Sequence, residues 1–589
     1  MEQSQTTILT DHAMLVVWGQ FAHCLGLIQA IENVAMSQKT IDHSPQSKVL
    51  EFLVAILNGL EYLKDISLSA RPLDKDLAVA HAWGQESWAD HSGVSRTLSS
   101  LNDAEVGQIV DILEKVSQPF IDQEVERWLA SGPLILDGDL TPRPVSNGSR
   151  TYPEAEYGHM NDRLQLGYQA AIVSLRSRTY GRIGLSARQH SGKTVSATQA
   201  EELALEAERR LGRRPLRRID LLMQRIEQMR PEGEKLIEKV ASARQSLAAA
   251  LAAQADIADQ LDQAQQKLSA LEDEYAEKQR PERPNSYLAQ ARMQVVVFQR
   301  RLERRTRSVG KSHRWLNHQQ DLHSEWETRN ASLEERLQRF QAENAVNPAP
   351  IEAVFRLDAG FGTQENLALL IEMGYEVYSK PYGNWLSGLL AEKSADPQIW
   401  QRVGANAEMK AWKGASLPDF PYPLDLGALR FWNGSGYRNS ALLHFGKQEV
   451  TADLPAWFHD YNARQIIEAG NKEARQVFEV HHLKVRSCPA LHLQEHFALF
   501  AANFVRFASF WLTEQCPQVP DGWKDSAQPQ VKNQVKVGAH APAQVEWLGQ
   551  DCLLRFTDCS VFAGRSFTVR RQLAIQLTLP WKFALFSLT

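Results

Sequence analysis

The stretch AVFRLDAGFGTQENLALLIEMGYEVYSK, residues 353–380, decides the predicted fold. Residues 353–357 are mostly apolar and predict a buried strand, while residues 364–373 carry apolar side chains at helical spacing. Residues 375–380 then predict a second strand, so that the stretch forms a β-α-β unit. Asp358 directly follows the first strand, and two glycines within the next four residues permit a tight turn into the helix. A carboxylate is therefore expected at the end of a buried strand.

Another buried strand that ends in acidic residues is predicted earlier in the chain, in the run Pro-Leu-Ile-Leu-Asp-Gly-Asp at residues 133–139. Further strands are predicted at residues 167–175 and 181–185, which would make an antiparallel meander. The polar residues 147–161, rich in Gly, Pro and Tyr, predict a surface loop between the first two strands.

Two aspartates compete for the functional position at the end of this first strand. Because side chains alternate along a strand, Asp137 and Asp139 share one face. We favour Asp139, since Thr141 follows it at a spacing that recurs in the resemblance described below, but Asp137 remains an alternative. A lone Asp at a strand end is more often a cap or turn residue, and this applies to Asp139 and Asp358 alike.

A third acid, Glu468, lies in a predicted helix over residues 461–478. Tyr461, Arg464, Glu468 and Arg475 are spaced so that all four lie on one helical face, with a cation on each side of the carboxylate. One face would thus hold a metal ligand together with phosphate-binding groups. The alternative is a solvated amphipathic helix with ordinary ion pairs.

Residues 195–345 are predicted to be helical and charged. Residues 240–275 follow a heptad pattern, Pro-containing residues 281–286 interrupt it, and a second helix follows to about residue 341. We expect an antiparallel helical hairpin with Gly310 as a candidate kink, and an intermolecular coiled coil is the alternative. The heptad core positions are Val240, Ala243, Leu247, Ala250, Gln254, Ile257, Leu261, Ala264, Leu268, Leu271 and Tyr275.

Two arginine-rich runs accompany this helical region and could neutralise phosphates. The alternative for both runs is a solvated helix face whose charges are paired. The first run is Arg209, Arg210, Arg213, Arg214, Arg217 and Arg218, and the second is Arg300, Arg301, Arg304, Arg305, Arg307, Lys311 and Arg314.

Composition is that of a globular protein of several domains. The 589 residues are 43% hydrophobic and 23% charged, with a net charge of −5, which excludes a uniformly basic surface but not local patches. No apolar run approaches the length of a membrane span, the N-terminus lacks the pattern of a signal peptide, and the five cysteines are scattered. We therefore expect a cytoplasmic protein with reduced thiols and no membrane association.

Three motifs in order resemble those of the DDE insertion-sequence transposases that bear a Tyr-Arg-Glu-Lys signature. The motifs are Asp139 with Thr141, Arg356 to Phe361 around Asp358, and Tyr461, Arg464, Glu468 and Arg475. Residues 501–506, Ala-Ala-Asn-Phe-Val-Arg, are also similar to a segment that often follows the Glu motif. The family has Lys where this chain has Arg475. Relatives more often carry a large insertion between the second Asp and the Glu, whereas here the hairpin lies between the two Asp residues.

The resemblance implies a multidomain α/β protein with a ribonuclease-H-like mixed-sheet core, interrupted by the helical hairpin insertion. Asp139, Asp358 and Glu468 would be the catalytic residues and would hold two Mg²⁺ or Mn²⁺ ions for phosphoryl transfer. Tyr461, Arg464 and Arg475 would contact DNA. The expected substrates are double-stranded element ends and target DNA, bound by a homodimer in the prokaryotic cytosol and, when on DNA, at the nucleoid.

The flanking regions complete the expected domain organisation. Residues 12–130 read as an all-α unit, within which residues 76–98 resemble a helix-turn-helix with Arg96 on its exposed, DNA-facing side; an ordinary helical bundle is the alternative. The predicted domains are an N-terminal helical DNA-binding domain (1–130), the first part of the catalytic core (131–200), the coiled-coil insertion (201–346), the second part of the core (347–515) and a small β-rich appendage (516–589).

Two other functions fit the same sequence. A ribonuclease-H-like nuclease that cuts DNA without strand transfer would carry the same three motifs. A domesticated DNA-binding scaffold protein would use the coiled coil instead, although the intact set of acids argues against that function.

Overall fold

The computed structural model describes residues 7–40, 42–149, 151–160, 163–395, 399–515, 531–558 and 563–572. The chain divides into two compact units. The first comprises residues 1–216 and 347–589, and the second comprises residues 217–346. The unit boundary at residue 217 lies later than the predicted start of the insertion at 201, because helix Ala200–Leu211 packs on the sheet of the first unit.

The part of the first unit that precedes the hairpin contains helices followed by strands. Its elements are β1 (Thr7–Thr10), α1 (Ala13–Cys24), α2 (Leu27–Glu32), α3 (Pro45–Leu57), α4 (Asp65–Leu68), α5 (Leu77–Ala82), α6 (His91–Ser99), α7 (Asp103–Leu129), β2 (Leu134–Pro144), β3 (Glu156–Met160), β4 (Arg163–Ser177), β5 (Gly181–Ser191) and α8 (Ala200–Leu211).

The second unit is a pair of long helices, α9 (Ile219–Glu277) and α10 (Tyr287–Ala345). Residues later in α9 contact residues earlier in α10: Trp326 donates to the Met229 backbone carbonyl at 3.2 Å, and the Gln254 side chain donates to the Thr306 hydroxyl at 2.8 Å. The unit is thus an antiparallel hairpin within one chain, as predicted. α10 continues through Gly310 without a break.

The rest of the first unit follows the hairpin and returns to alternating strands and helices. Its elements are β6 (Ala353–Arg356), α11 (Gln364–Glu372), β7 (Glu376–Ser379), α12 (Ser387–Ser394), β8 (Gln401–Arg402), β9 (Ala407–Ala415), β10 (Leu424–Trp432), β11 (Tyr437–Phe445), α13 (Leu454–Asn462), α14 (Gln465–Gln476), α15 (Cys488–Gln515), α16 (Val531–Lys536), β12 (Ala543–Leu548), β13 (Asp551–Phe556) and β14 (Ser566–Val569).

One mixed sheet of ten strands organises the first unit. Its order is β3-β4-β2-β6-β7-β11-β10-β9-β8, with β5 paired to β4. β2, β6 and β7 run parallel to one another, whereas β4 and β11 flank them in the antiparallel direction. The mixed α/β class and the strands predicted at 133–139, 167–175 and 181–185 are confirmed. The loop predicted at 147–161 is wrong in part, because β3 occupies its last residues.

The central strands are held by packing on both faces of the sheet. Leu134 and Leu136 of β2 are buried, and all of β6 is buried. Gly138 has no room for a side chain, since an added Cβ would lie 2.8 Å from Leu357 and 2.9 Å from Phe355. This close approach lets β2 and β6 sit side by side with their acids at one edge.

The N-terminal helices share a core with α15. Phe120 of α7 stacks on Phe507 of α15 with ring centroids 4.1 Å apart. The Asn503 side chain bonds both backbone groups of Gly184 in β5, at 2.9 Å and 2.8 Å. The helical region before residue 130 is therefore packed against the sheet-covering helix.

The two predicted terminal domains differ from the observed arrangement. β1 lies within the predicted N-terminal domain (1–130), just before the residues 12–130 predicted to be all-α, and it pairs with β12 in a four-stranded sheet ordered β1-β12-β13-β14. The predicted β-rich appendage therefore includes a strand from the N-terminal region. Residues 516–530 and 573–589 of the predicted appendage lie outside the described residues.

The predicted helix-turn-helix is wrong in the connection between α5 and α6. Residues 83–90 form turns and bends, and α6 begins at His91, with the Asp90 carboxylate accepting from the Gly93 amide at 2.7 Å. This connection is longer than the three- or four-residue turn of a helix-turn-helix. Arg96 is nevertheless exposed on α6. Among the described residues, no helix is both long and apolar enough to cross a membrane.

Candidate active site

Asp139 and Asp358 lie at the same edge of the sheet. β2 and β6 are parallel neighbours in which Asp137 is opposite Arg356, so the two aspartates stand two residues further along adjacent strands. Asp358 begins the short helical turn Ala359–Phe361, and its Oδ1 accepts from the Gly360 amide at 2.9 Å. The sheet register therefore brings together two acids that are 219 residues apart in the chain.

Asp137 is occupied by a buried ion pair. Its Oδ1 accepts from Nε of Arg356 at 2.7 Å and its Oδ2 accepts from Nη2 at 2.8 Å, while Arg356 Nη1 donates to the Asp460 carbonyl at 2.7 Å. This two-pronged geometry satisfies both carboxylate oxygens and joins β2, β6 and the end of α13. Of the two competing aspartates, Asp139 is the one whose carboxylate is not committed to an arginine.

Asp139 is partly buried among other acids. Burial raises the pKa of its carboxyl to about 6; the negative charge of Asp358 adds to this effect, Arg464 opposes it, and Glu468 contributes a smaller rise. Its Oδ2 accepts from the Thr141 hydroxyl at 3.2 Å and from the Asn471 amide at 2.5 Å. A buried carboxyl of raised pKa beside other carboxylates is typical of a site that a divalent cation completes.

Glu468 reaches this edge from a helix that differs from the prediction. The predicted helix over 461–478 is two helices, α13 and α14, separated by a turn at residues 463–464. Glu468 lies in the first turn of α14, and its Oε1 accepts from Arg464 Nη2 at 2.6 Å. The Glu468 side chain is 53% exposed and that of Arg464 only 11%. The carboxylate therefore faces solvent, while the guanidinium is held inside.

Arg464 is the central cation of this group. Burial alone would lower the pKa of its guanidinium, but the negative charges of Asp139, Asp358 and Glu468 raise it. The three acids therefore all lie within electrostatic reach of one arginine.

Tyr461 is a structural member of the site. Its ring is 4% exposed, burial raises the pKa of its hydroxyl to about 12, and the hydroxyl donates to the Leu357 carbonyl at 3.3 Å. This bond fixes the residue that precedes Asp358. So buried a ring presents little surface on which a base could stack.

Two functional candidates were missed by the sequence reasoning. Lys380 follows β7, the strand beside β6; burial and the neighbouring Arg464 lower the pKa of its amine, while Glu468 and Asp358 oppose this. Its Nζ lies 5.2 Å from the centroid of the Tyr461 ring. Asn471 lies one helical turn after Glu468 and reaches Asp139. Both had a signal in the sequence: the end of a neighbouring strand for Lys380, and the i, i+3 position for Asn471.

α14 is fixed behind the site by a second charge cluster. Glu473 pairs with Arg506 of α15 through two bonds of 2.9 Å and with Arg182 of β5 at 2.8 Å. Arg182 also donates to the Ile466 carbonyl at 3.3 Å. These buried contacts set the position from which Glu468 projects.

The remaining predicted DNA-binding arginines are both exposed. Arg475 is exposed on the last turn of α14, where it lies beside His481. Arg96 is exposed on α6 and donates to the Ser92 hydroxyl at 3.4 Å. Their exposure leaves both side chains accessible to a ligand.

The three acids are more widely spaced than the ligands of a single ion. Among the described residues, the group of three ligand side chains whose atoms all lie within 4.8 Å of one another is Glu479, His481 and His482. Two ions about 4 Å apart, each bound at about 2.1 Å, can bridge carboxylates up to roughly 8 Å apart. In addition, Arg464 holds the Glu468 carboxylate, so release of that pair would free it for a cation.

The Glu479 group differs from a magnesium site in its chemistry. Imidazole nitrogens suit transition metals rather than Mg²⁺. Lys536 already pairs with Glu479 at 2.8 Å, and His482 pairs with Glu61 at 3.1 Å. We regard the group as an ion-pair network beyond the end of α14.

Comparison with models of known protein families gives no match, and comparison with curated proteins gives no significant relative.

Proposed function

We propose that the protein is a DDE-type DNA transposase, which cuts the ends of a mobile element and joins them to target DNA. The observation that carries the proposal is the convergence of Asp139 and Asp358 at adjacent parallel strand ends, with Glu468 facing the same edge from α14. The ribonuclease-H-like character of the core belongs to this proposal. It is supported by the mixed sheet in which an antiparallel meander leads into parallel strands.

Asp139, Asp358 and Glu468 would hold two Mg²⁺ or Mn²⁺ ions. The donor set fits these hard cations, because it consists of carboxylate oxygens. Burial and neighbouring acids raise the pKa of the Asp139 carboxyl, and a bound cation would stabilise its ionised form. Bound ions would supply an activated hydroxyl nucleophile and stabilise the leaving oxygen in an in-line displacement.

The surrounding residues would position the acids and the substrate. Thr141 and Asn471 orient the Asp139 carboxylate, and Tyr461 fixes the backbone before Asp358. Arg464 and Lys380 place two cations beside the acids, where they would bind the phosphate being transferred. Arg475 would contact the DNA further along α14.

The substrates would be double-stranded element ends and then a target duplex. Because both ends must be cut in one complex, we propose a homodimer assembled on DNA, acting in the prokaryotic cytosol. Arg96 on α6 would contribute to DNA contact in the N-terminal region.

The test is a joining assay with the full-length chain, Mg²⁺, a supercoiled plasmid and short duplexes whose ends are randomised. We expect plasmid molecules that carry covalently joined duplexes, and sequencing of the junctions would give the preferred end. Glu468→Gln should abolish joining because a neutral amide binds a divalent cation weakly. Glu392→Gln, an exposed glutamate on α12, is the matched control and should leave joining unchanged.

The rival functions give different products in the same assay. Nicked plasmid without joined product would indicate the nuclease. Binding without any metal-dependent cleavage would indicate the scaffold protein and would refute the enzymatic proposal.

A further inference from the structure

The two arginine-rich runs have opposite surroundings. In the first run, Arg209 pairs with Glu114 at 2.7 Å, Arg217 with Glu343 at 2.6 Å and Arg218 with Asp220 at 2.7 Å. Arg210 and Arg213 also pair with carboxylates, those of Glu114 and Glu126. This run is therefore a salt-bridged structural element, which is the alternative reading of the sequence.

The second run lies on α10 and is exposed. Its seven cations, residues 300 to 314, make no ion pair with any other residue in the part of the chain that the structure describes. The only acid within these residues is Glu303, so the segment has a net charge of +6. An uncompensated cluster of like charges in a protein of net charge −5 is a local feature that a ligand would neutralise.

Five of these cations form a straight stripe, which we call the basic face. The partly buried side chains of α10 on the side that packs against α9 include Leu302, Val309 and Leu316. Each cation of the stripe lies two residues from one of them. Because helical positions advance by about 100° per residue, two residues correspond to about 200° around the helix. The stripe is therefore on the opposite side of α10 from α9. The basic face consists of Arg300, Arg304, Arg307, Lys311 and Arg314.

The dimensions of the basic face match a DNA backbone. The fourteen helical steps from Arg300 to Arg314 span about 21 Å, which corresponds to about six base pairs at ~3.4 Å each. The face is rigid because the two long helices of the hairpin pack along their lengths. Guanidinium groups are also well suited to phosphate oxygens.

We propose that the basic face of α10 binds the phosphate backbone of duplex DNA. This inference goes beyond the proposed function, because it assigns a contact surface to residues 217–346, which include none of the three acids. A membrane surface fits less well, since the apolar side of α10 is already packed against α9. Backbone contact of this kind positions DNA without reading its sequence.

The test compares two triple variants of the full-length chain in metal-free buffer, with duplex binding followed by fluorescence anisotropy from 50 to 300 mM salt. The first is Arg300→Gln, Arg304→Gln and Arg307→Gln. The matched control is Arg213→Gln, Arg218→Gln and Arg329→Gln, whose side chains are 37%, 38% and 51% exposed but paired with acids. Both variants lose the same charge.

We expect the first variant to lower the slope of log K against log salt by about 2 to 3, since each lost phosphate contact removes about 0.9. The control should keep the wild-type slope. Circular dichroism checks that the first variant is folded. If it is not, the double variant Lys311→Glu with Arg314→Glu, at the other end of the basic face, takes its place.

The outcomes separate this inference from the proposed function. An equal decrease of the salt slope in both triple variants, or an unchanged slope in the first, would contradict DNA binding by the basic face. Neither result would affect the outcome of the joining assay. Wild-type binding to anionic vesicles or single-stranded RNA in preference to duplex DNA would also overturn the inference.

Discussion

Replacing Asp137 and Asp139 separately by Asn should change stability in opposite directions. Asp137 is buried and bound by both prongs of Arg356 at 2.7 and 2.8 Å, so Asp137→Asn leaves a buried guanidinium without its counter-charge. Loss of one partner of such a pair costs about 3–5 kcal/mol. Asp137→Asn should therefore lower the free energy of unfolding strongly and reduce activity only through loss of folded protein.

Asp139→Asn removes a charge that the folded protein holds unfavourably. Its pKa rises in the fold from 3.8 to about 6, so the carboxyl favours the folded state at low pH and this contribution is lost as pH rises through about 6. Two pKa units correspond to about 3 kcal/mol, an upper limit because the site is partly solvated. At pH 7.5 without metal, Asp139→Asn should raise stability by roughly 1–3 kcal/mol, with no gain near pH 4.

Urea unfolding monitored by tryptophan fluorescence, at pH 4.5 and 7.5 in EDTA, measures both effects. The double variant Asp137→Leu with Arg356→Met is the control, because replacing the whole pair should recover most of the lost stability. Wild-type stability of Asp137→Asn would contradict a structural role for Asp137, and an Asp139→Asn variant that is destabilised and still cleaves DNA would contradict a catalytic role for Asp139.

Three further changes probe other parts of the structure. Burial raises the pKa of the Glu51 carboxyl to about 9, so the folded protein loses stability as pH rises from about 4.5 towards 9. Glu51→Gln should therefore raise the melting temperature at pH 8 and leave it unchanged near pH 4. An unchanged melting temperature at pH 8 would contradict this. Gly362→Ala would place a Cβ 1.7 Å from the Lys380 backbone carbonyl and should lower the free energy of unfolding in urea by several kcal/mol. Gly388→Ala, whose Cβ would have no atom within 4 Å, should be neutral or stabilising. Asn471→Ala should weaken Mg²⁺ activation about tenfold without lowering the melting temperature, and an unchanged Mg²⁺ requirement would remove its role beside Asp139.

The periodic parts of the fold were predictable from the sequence. The hairpin follows from its heptads, and β2, β6 and β7 follow from their short apolar runs. The predicted helix-turn-helix failed because residues 83–90 form turns and bends, and α6 begins only at His91, after its cap Asp90. Pairing of β1 with β12 could not be foreseen, since it joins residues more than 530 positions apart through backbone bonds.

The candidate site was predictable in composition but not in its internal pairing. Strand alternation placed Asp137 and Asp139 on one face and could not choose between them. The choice depends on Arg356, which the register of β2 and β6 puts opposite Asp137. In the same way, helical spacing grouped Tyr461 with Glu468, but the break at residues 463–464 and the burial of Tyr461 depend on packing against β6 and β7.

The most direct test of the central claim is anomalous diffraction from crystals grown with Mn²⁺. We expect two peaks about 4 Å apart, bounded by Asp139, Asp358 and Glu468, with the Arg464–Glu468 pair opened. Peaks confined to Glu479, His481 and His482, or no peak beside Asp139 and Asp358, would contradict the two-metal site.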